Sequence, residues 1–192
     1  MIIALAGRRI DASDADVPRF PLQNVDLVRA RLRTAFETFA ADTLACSASC
    51  GSDLLALSVA GELGMRRRII LPYDRDRFRR TSVTDRPGDW GRLFDEVCAD
   101  ADATGSLITL DSASTDDKAY IATNTRILEE VVALVRSDTD KHVDSDKRRI
   151  TSGYALAVVV WEGETRGDDD LTAAFADLAR DLGLSIVEIL TK

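Results

Sequence analysis

The segment Ser47-Ala48-Ser49-Cys50-Gly51-Ser52-Asp53 follows a short apolar run and precedes an apolar stretch with helical spacing. Its residue types suit a backbone cradle. Gly51 allows a tight turn and close approach of a ligand to the main chain, and Ser52 or Asp53 can cap the helix that follows. Free N–H groups at such a corner, aided by the positive end of the helix dipole, hold an anion such as phosphate. Asp53 would repel phosphate but would accept hydrogen bonds from ribose hydroxyls, and Ser49 adds a hydroxyl. A plain strand-to-helix corner uses the same residues, so the neighbouring loops must discriminate.

Those loops are rich in arginine. Arg8 and Arg9 lie in "AGRRID", and Arg75, Arg77, Arg79 and Arg80 in "PYDRDRFRR", each after an apolar run. Guanidinium groups match phosphate oxygens bidentately, so in an acidic chain they would create a local positive field. Arg66, Arg67 and Arg68 precede the third apolar run and should lie at the opposite end. A further loop, "GETRGDDDLT", carries Gly163, Gly167 and Thr172 around three consecutive aspartates. Asp168, Asp169 and Asp170 read first as favourable charge at a helix N-terminus; a divalent cation is the other reading. Trp90, Trp161 and Tyr73 offer flat faces for a base, although core packing explains the tryptophans more simply.

Alternating elements must position these loops. Strand-length apolar runs occur at "MIIALAG", Thr43 to Ser47, "RRIILPY", "SLITLD", "YALAVVVWEG" and "LSIVEIL". Between them, Val25, Val28, Leu32, Phe36 and Phe39 recur at helical intervals. A second helix is expected from Asp53 to Leu63, with Gly64 at the position that stops it. A polar loop then runs to an amphipathic helix beginning near Trp90; a long helix covers Lys118 to Val135, and Leu171, Phe175, Leu178 and Leu182 mark the last one. The stretch over about 137–150 is charged, has no apolar period and reads as a solvated, mobile surface loop.

This order predicts a single α/β domain over residues 1–192: a Rossmann-like three-layer sandwich around a mainly parallel sheet of about six strands. Ligands in such sheets bind outside the carboxyl ends of the strands. Gly7, Gly51 and Gly163 should therefore share one sheet edge.

Hydrophobic residues make up 45% of the 192 and charged residues 30%, as expected of a globular chain. No apolar run is long enough to cross a bilayer, and no basic segment precedes the first strand, so a cytoplasmic protein is expected. Three cysteines in unpaired spacing and the single His142 suggest neither a disulfide framework nor a zinc site. A net charge of -8 argues against nucleic acid as a partner.

Taken in order, "IALAGRRID", "SASCGSDLLALSVAGELGMRRRIILPYDRDRFRRTSV", "PGDWGRLFDEV", "AYIATNTRILEE" and "ALAVVVWEGETRGDDDLTAAFADLARDLGLSIVEI" resemble the SLOG superfamily. That group of Rossmann-like domains takes its name from the Smf/DprA and lonely-guy proteins. The likeness is to its bacterial signalling and conflict-system branches and covers nearly the whole chain except the charged loop. It implies a nucleotide or nucleotide-derived ligand, a homodimer at least, and contacts from Gly7 and Arg8, from Ser49, Gly51 and Asp53, from Asn124, and from the "GETRGDDDLT" turn. The lonely-guy phosphoribohydrolases carry P-G-G-x-G-T-x-x-E at that turn; here Gly167 is followed by three aspartates before Leu171 and Thr172.

Two functions follow as expectations. The first is a sensor module that holds a nucleotide-type ligand through Gly7, Arg8, Arg9, Ser49, Gly51, Ser52, Asp53, Asn124, Gly163, Gly167 and Thr172, with no resident cofactor. The alternative is hydrolysis of a nucleotide N-glycosidic bond, with Asp53 or Asp169 activating water as a general base.

Overall fold

The computed structural model describes residues 1–113, 117–139, 154–167 and 169–192. The charged stretch beyond 139 and Asp168 lie outside them.

Strands β1 (Ile2–Gly7), β2 (Thr43–Cys46), β3 (Arg66–Leu71), β4 (Leu107–Thr109), β5 (Ala155–Trp161) and β6 (Ser185–Leu190) form one sheet in the order β4-β3-β2-β1-β5-β6. Every pairing is parallel. The helices are α1 (Val25–Thr38), α2 (Ser52–Glu62), α3 (Arg75–Phe78), α4 (Gly91–Ala103), α5 (Asp117–Thr139) and α6 (Leu171–Asp181). This is the expected α/β sandwich. The chain builds outward from β1 to β4, then returns along α5 to place β5 on the other side of β1. The β1/β5 seam is thus the switch point at which such sheets open a crevice.

Pleat alternation divides the core into two layers. Ile3 and Leu5 of β1 and Leu156, Val158 and Val160 of β5 pack against α1, α2 and α4. On the opposite face, Ala4, Ala6, Ala45, Ala157 and Val159 meet Ile127, Leu128, Val131 and Val135 of α5 and Phe175, Ala176 and Ala179 of α6. The small residues on that face let α5 lie close across the sheet. Helix α2 is apolar nearly all round because α1 and α4 flank it. It ends as expected, with Gly64 at φ 69° and Met65 N–H donating to the Ala60 carbonyl.

One local feature departs from the sequence reading. The arginine-rich stretch after β3 is not simply a loop: Asp74 caps α3 by accepting from Arg77 N–H at 2.8 Å, and one π-helical turn over Arg79–Val83 follows. Helix α5 lays its apolar residues on the sheet. Ile127, Leu128, Val131 and Val135 are buried in the second core layer, leaving Ile121 as the exposed large apolar residue of that helix among those described.

Candidate functional site

A cleft of about 430 Å³ opens at the carboxyl edge of the sheet. The chain from Gly7 to Ala12 forms one wall, Ser47, Ser49 and Asp53 a second, and Tyr120, Thr123, Asn124 and Ile127 of α5 a third. Leu171 and Thr172 at the start of α6, with Arg166 before it, complete it. Of the expected residues, Gly7, Arg8, Arg9, Ser49, Asp53, Asn124 and Thr172 line the cleft; Gly51, Ser52, Gly163 and Gly167 do not.

The corner before α2 is built differently from an anion cradle. Four of its amides are taken within the protein: Ser49 N–H by Asp53 at 3.1 Å, Cys50 N–H by the Ser82 carbonyl at 3.0 Å, Ser52 N–H by the Arg8 carbonyl at 3.2 Å and Leu54 N–H by the Ser49 carbonyl at 3.3 Å. Gly51 provides a sharp turn at φ 97° and ψ −121°, but the backbone it admits is that of the β1 loop. An added Cβ would lie 2.8 Å from the Ile10 nitrogen and 3.0 Å from the Arg8 oxygen. Neither Ser52 nor Asp53 caps the helix, because the N-cap position is Gly51 itself. Ser52 Oγ instead donates to the Arg8 carbonyl at 2.7 Å. Gly51→Ala is therefore expected to destabilise the fold by about 2 kcal/mol through steric and φ strain, visible as a lower midpoint in urea with an unchanged slope.

Arg8 is buried and fully engaged. Its Nε donates to Glu162 at 2.6 Å, while Nη1 and Nη2 fork onto the two Asp170 oxygens at 2.6 and 2.7 Å. Nη2 also reaches the Glu164 carbonyl at 3.1 Å, and Arg19 pairs with Glu162 from the other side. Burial alone would raise both carboxyls, but the Arg8 hydrogen bonds override it and hold Glu162 and Asp170 below their ordinary values. Asp170 in turn caps α6, accepting from Thr172 and Ala173 N–H, so the aspartate turn does supply charge at a helix N-terminus. Arg8 thereby ties the β1 loop to the turn before α6.

Several of the remaining arginines are paired too, while Arg80 is exposed and Arg9 Nε is buried without a hydrogen-bond partner. Arg9 pairs with Asp85, Arg75 and Arg79 with Asp95, and Arg77 lies over the Tyr73 ring at 4.5 Å. The local positive field expected from these loops is thus reduced by the carboxylates paired with Arg8, Arg9, Arg75 and Arg79. At the other edge, Arg66, Arg67 and Arg68 begin β3 as expected.

Asp53 is a buried carboxyl in the cleft lining. Burial pushes it up to about 6, against hydrogen bonds from the Ser49 amide and hydroxyl that pull it down. Ser49 Oγ donates to it at 2.6 Å. Asn124 Nδ2 donates to the Leu171 carbonyl at 3.1 Å, tying α5 to α6. Asp169 is exposed and outside the cleft lining. Among the described residues, no group of three or more His, Cys, Asp or Glu side chains is placed to hold a metal ion.

Sequence reasoning passed over Tyr120 and Thr123. Tyr120 hydroxyl lies 2.9 Å from Ser82 Oγ and 3.1 Å from the Tyr73 hydroxyl, so the π-helical turn fixes its ring at the cleft. The aromatic residues singled out from sequence are used elsewhere. Trp90 and Tyr73 are buried in the core, and Trp161 donates to Glu188 at 3.0 Å. The available signal was spacing: Tyr120, Thr123, Asn124 and Ile127 recur at helical intervals along one face of α5.

No protein-family model matches the chain, and no curated protein is significantly similar to it.

Proposed function

We propose that the protein is a sensor module that binds a nucleotide or nucleotide-derived signal at the carboxyl edge of its sheet. The observation that carries this reading is the cleft of about 430 Å³ beside the β1/β5 switch point. Its lining of hydroxyls, one amide side chain, arginines and a fixed tyrosine ring suits a base and a sugar. A thermal-shift panel of nucleosides and nucleotides tests it. A ligand at about 100 times its Kd should add about 2.7 kcal/mol to stability, and no shift with any member would reject the reading. Membership in the SLOG superfamily and a cytoplasmic signalling role belong to the same proposal. So does a homodimer, for which exposed Ile121 on α5 is a starting contact; light scattering that reports only monomer at high concentration would reject it.

Asp53 favours a second reading, hydrolysis of a nucleotide N-glycosidic bond. A carboxyl that titrates near 6 in a cleft wall is matched to accepting a proton from water close to neutrality. Release of free base from incubated nucleotides, followed by chromatography, separates turnover from binding.

A further inference from the structure

Resting on the nucleotide reading of the cleft, we infer that its ligand carries little charge: a nucleoside or a cyclic phosphodiester rather than a linear di- or triphosphate.

Charge balance carries this. Five arginines line the cleft, Arg8, Arg9, Arg19, Arg86 and Arg166. Among the described residues, six carboxylates stand in the lining or pair with these arginines. Asp11, Asp53 and Asp117 are in the lining itself, while Asp85, Glu162 and Asp170 pair with the arginines. Arg86 Nε stands 3.7 Å from Asp85, and Arg166 Nε 3.8 Å from Asp170. A multiply charged phosphate would have to displace carboxylates from these pairs, leaving several of them uncompensated in a partly desolvated wall.

Most main-chain donors of the corner before α2 are already engaged. The amides of Ser49, Cys50, Ser52 and Leu54 already have acceptors, and Asp53 places negative charge in the first turn of α2. What the cleft wall presents instead is neutral: the hydroxyls of Ser47, Ser49, Tyr120, Thr123 and Thr172 and the amide of Asn124, of which Ser49, Thr123 and Asn124 donate within the protein but keep oxygen lone pairs to accept with. These groups fit sugar hydroxyls and base edges.

The test is calorimetric titration, for each common base, of the nucleoside, the cyclic monophosphate and the linear mono-, di- and triphosphate, at low and at physiological salt. The nucleoside or cyclic phosphodiester should bind tightest, with the triphosphate weaker by roughly tenfold or more and the best ligand almost insensitive to salt. In Asp85→Asn, which releases Arg9, preference should move several-fold toward the linear phosphates. Affinity that climbs with each added phosphate, or a preference unchanged in Asp85→Asn, overturns the inference and leaves the nucleotide reading standing. A panel in which nothing binds removes that reading and the inference together.

Discussion

Arg8→Ala is expected to destabilise the protein by about 3 to 5 kcal/mol at neutral pH, because it takes the bidentate cation from buried Asp170 and leaves buried Glu162 with Arg19 alone. Glu162 and Asp170 approach Arg8 at 2.6 Å, and both side chains are nearly inaccessible to solvent. The sign of the pH dependence follows. With Arg8 present, both carboxyls are held below the ordinary values of 4.5 and 3.8, so their contribution is complete above those values and is lost as the pH falls toward the folded values. Without Arg8, burial is opposed only by the Arg19 hydrogen bond to Glu162 and by main-chain N–H groups, so both carboxyls move up and protonation relieves the variant. The difference between wild type and variant should therefore shrink as pH is lowered from 7 to about 4. Urea midpoints at several pH values measure it. An equal loss at both ends of the range would assign the effect to lost packing of the arginine stem instead of charge. Arg8→Lys should fall between the two, since a single ammonium cannot fork onto Asp170 while also reaching Glu162.

Arg8 also shows where sequence reading stopped. As a residue after an apolar strand in a predicted ligand edge, it has the position of a phosphate ligand, and it does line the cleft. Its partners, however, lie 154 and 162 residues away in the chain, and only the β1/β5 pairing brings them to it. The sheet itself was legible, since unbroken apolar runs such as "ALAVVVW" separated by helical periods leave little choice beyond a parallel sheet covered on both faces. The edge was legible too, because Gly7 ends one strand and Gly51 and Gly163 follow two others, all pointing one way. What each glycine admits was not. Gly7 leaves room for Ser52 and Val160, whose atoms would lie 2.7 Å from an added Cβ, and Gly51 leaves room for the β1 loop. Backbone filling backbone gives the same glycine signal as a ligand doing so. Tyr120 was hidden for another reason: its ring is fixed by Ser82, whose position depends on a π-helical turn inside a stretch that reads as a polar loop.

Asp53→Asn should stabilise the protein at neutral pH while impairing whatever the cleft does. The carboxyl is buried, and its folded value of about 6 stands above the ordinary 3.8. A folded state that holds the proton more tightly than the unfolded chain loses stability as pH rises between those two values. At pH 7 the penalty is on the order of 3 kcal/mol, from a rise of about two pH units at 1.36 kcal/mol each. Asparagine keeps the shape and an oxygen that can accept from the Ser49 amide and hydroxyl, but it carries no charge to desolvate. The gain should thus be largest near neutrality and vanish below about pH 4, where wild-type Asp53 is neutral in both states. A variant no more stable than wild type at pH 7 would mean that the Ser49 hydrogen bonds offset the burial. The functional arm separates the two readings of the cleft. In a sensor, losing the acceptor of sugar hydroxyls weakens nucleoside affinity by about tenfold, equivalent to 1.4 kcal/mol. In a hydrolase, affinity changes little and base release falls by roughly 100-fold or more, because the water loses its proton acceptor. Affinity and base release measured on the same folded variant would show which holds, and a variant that binds and turns over like wild type would remove Asp53 from the site.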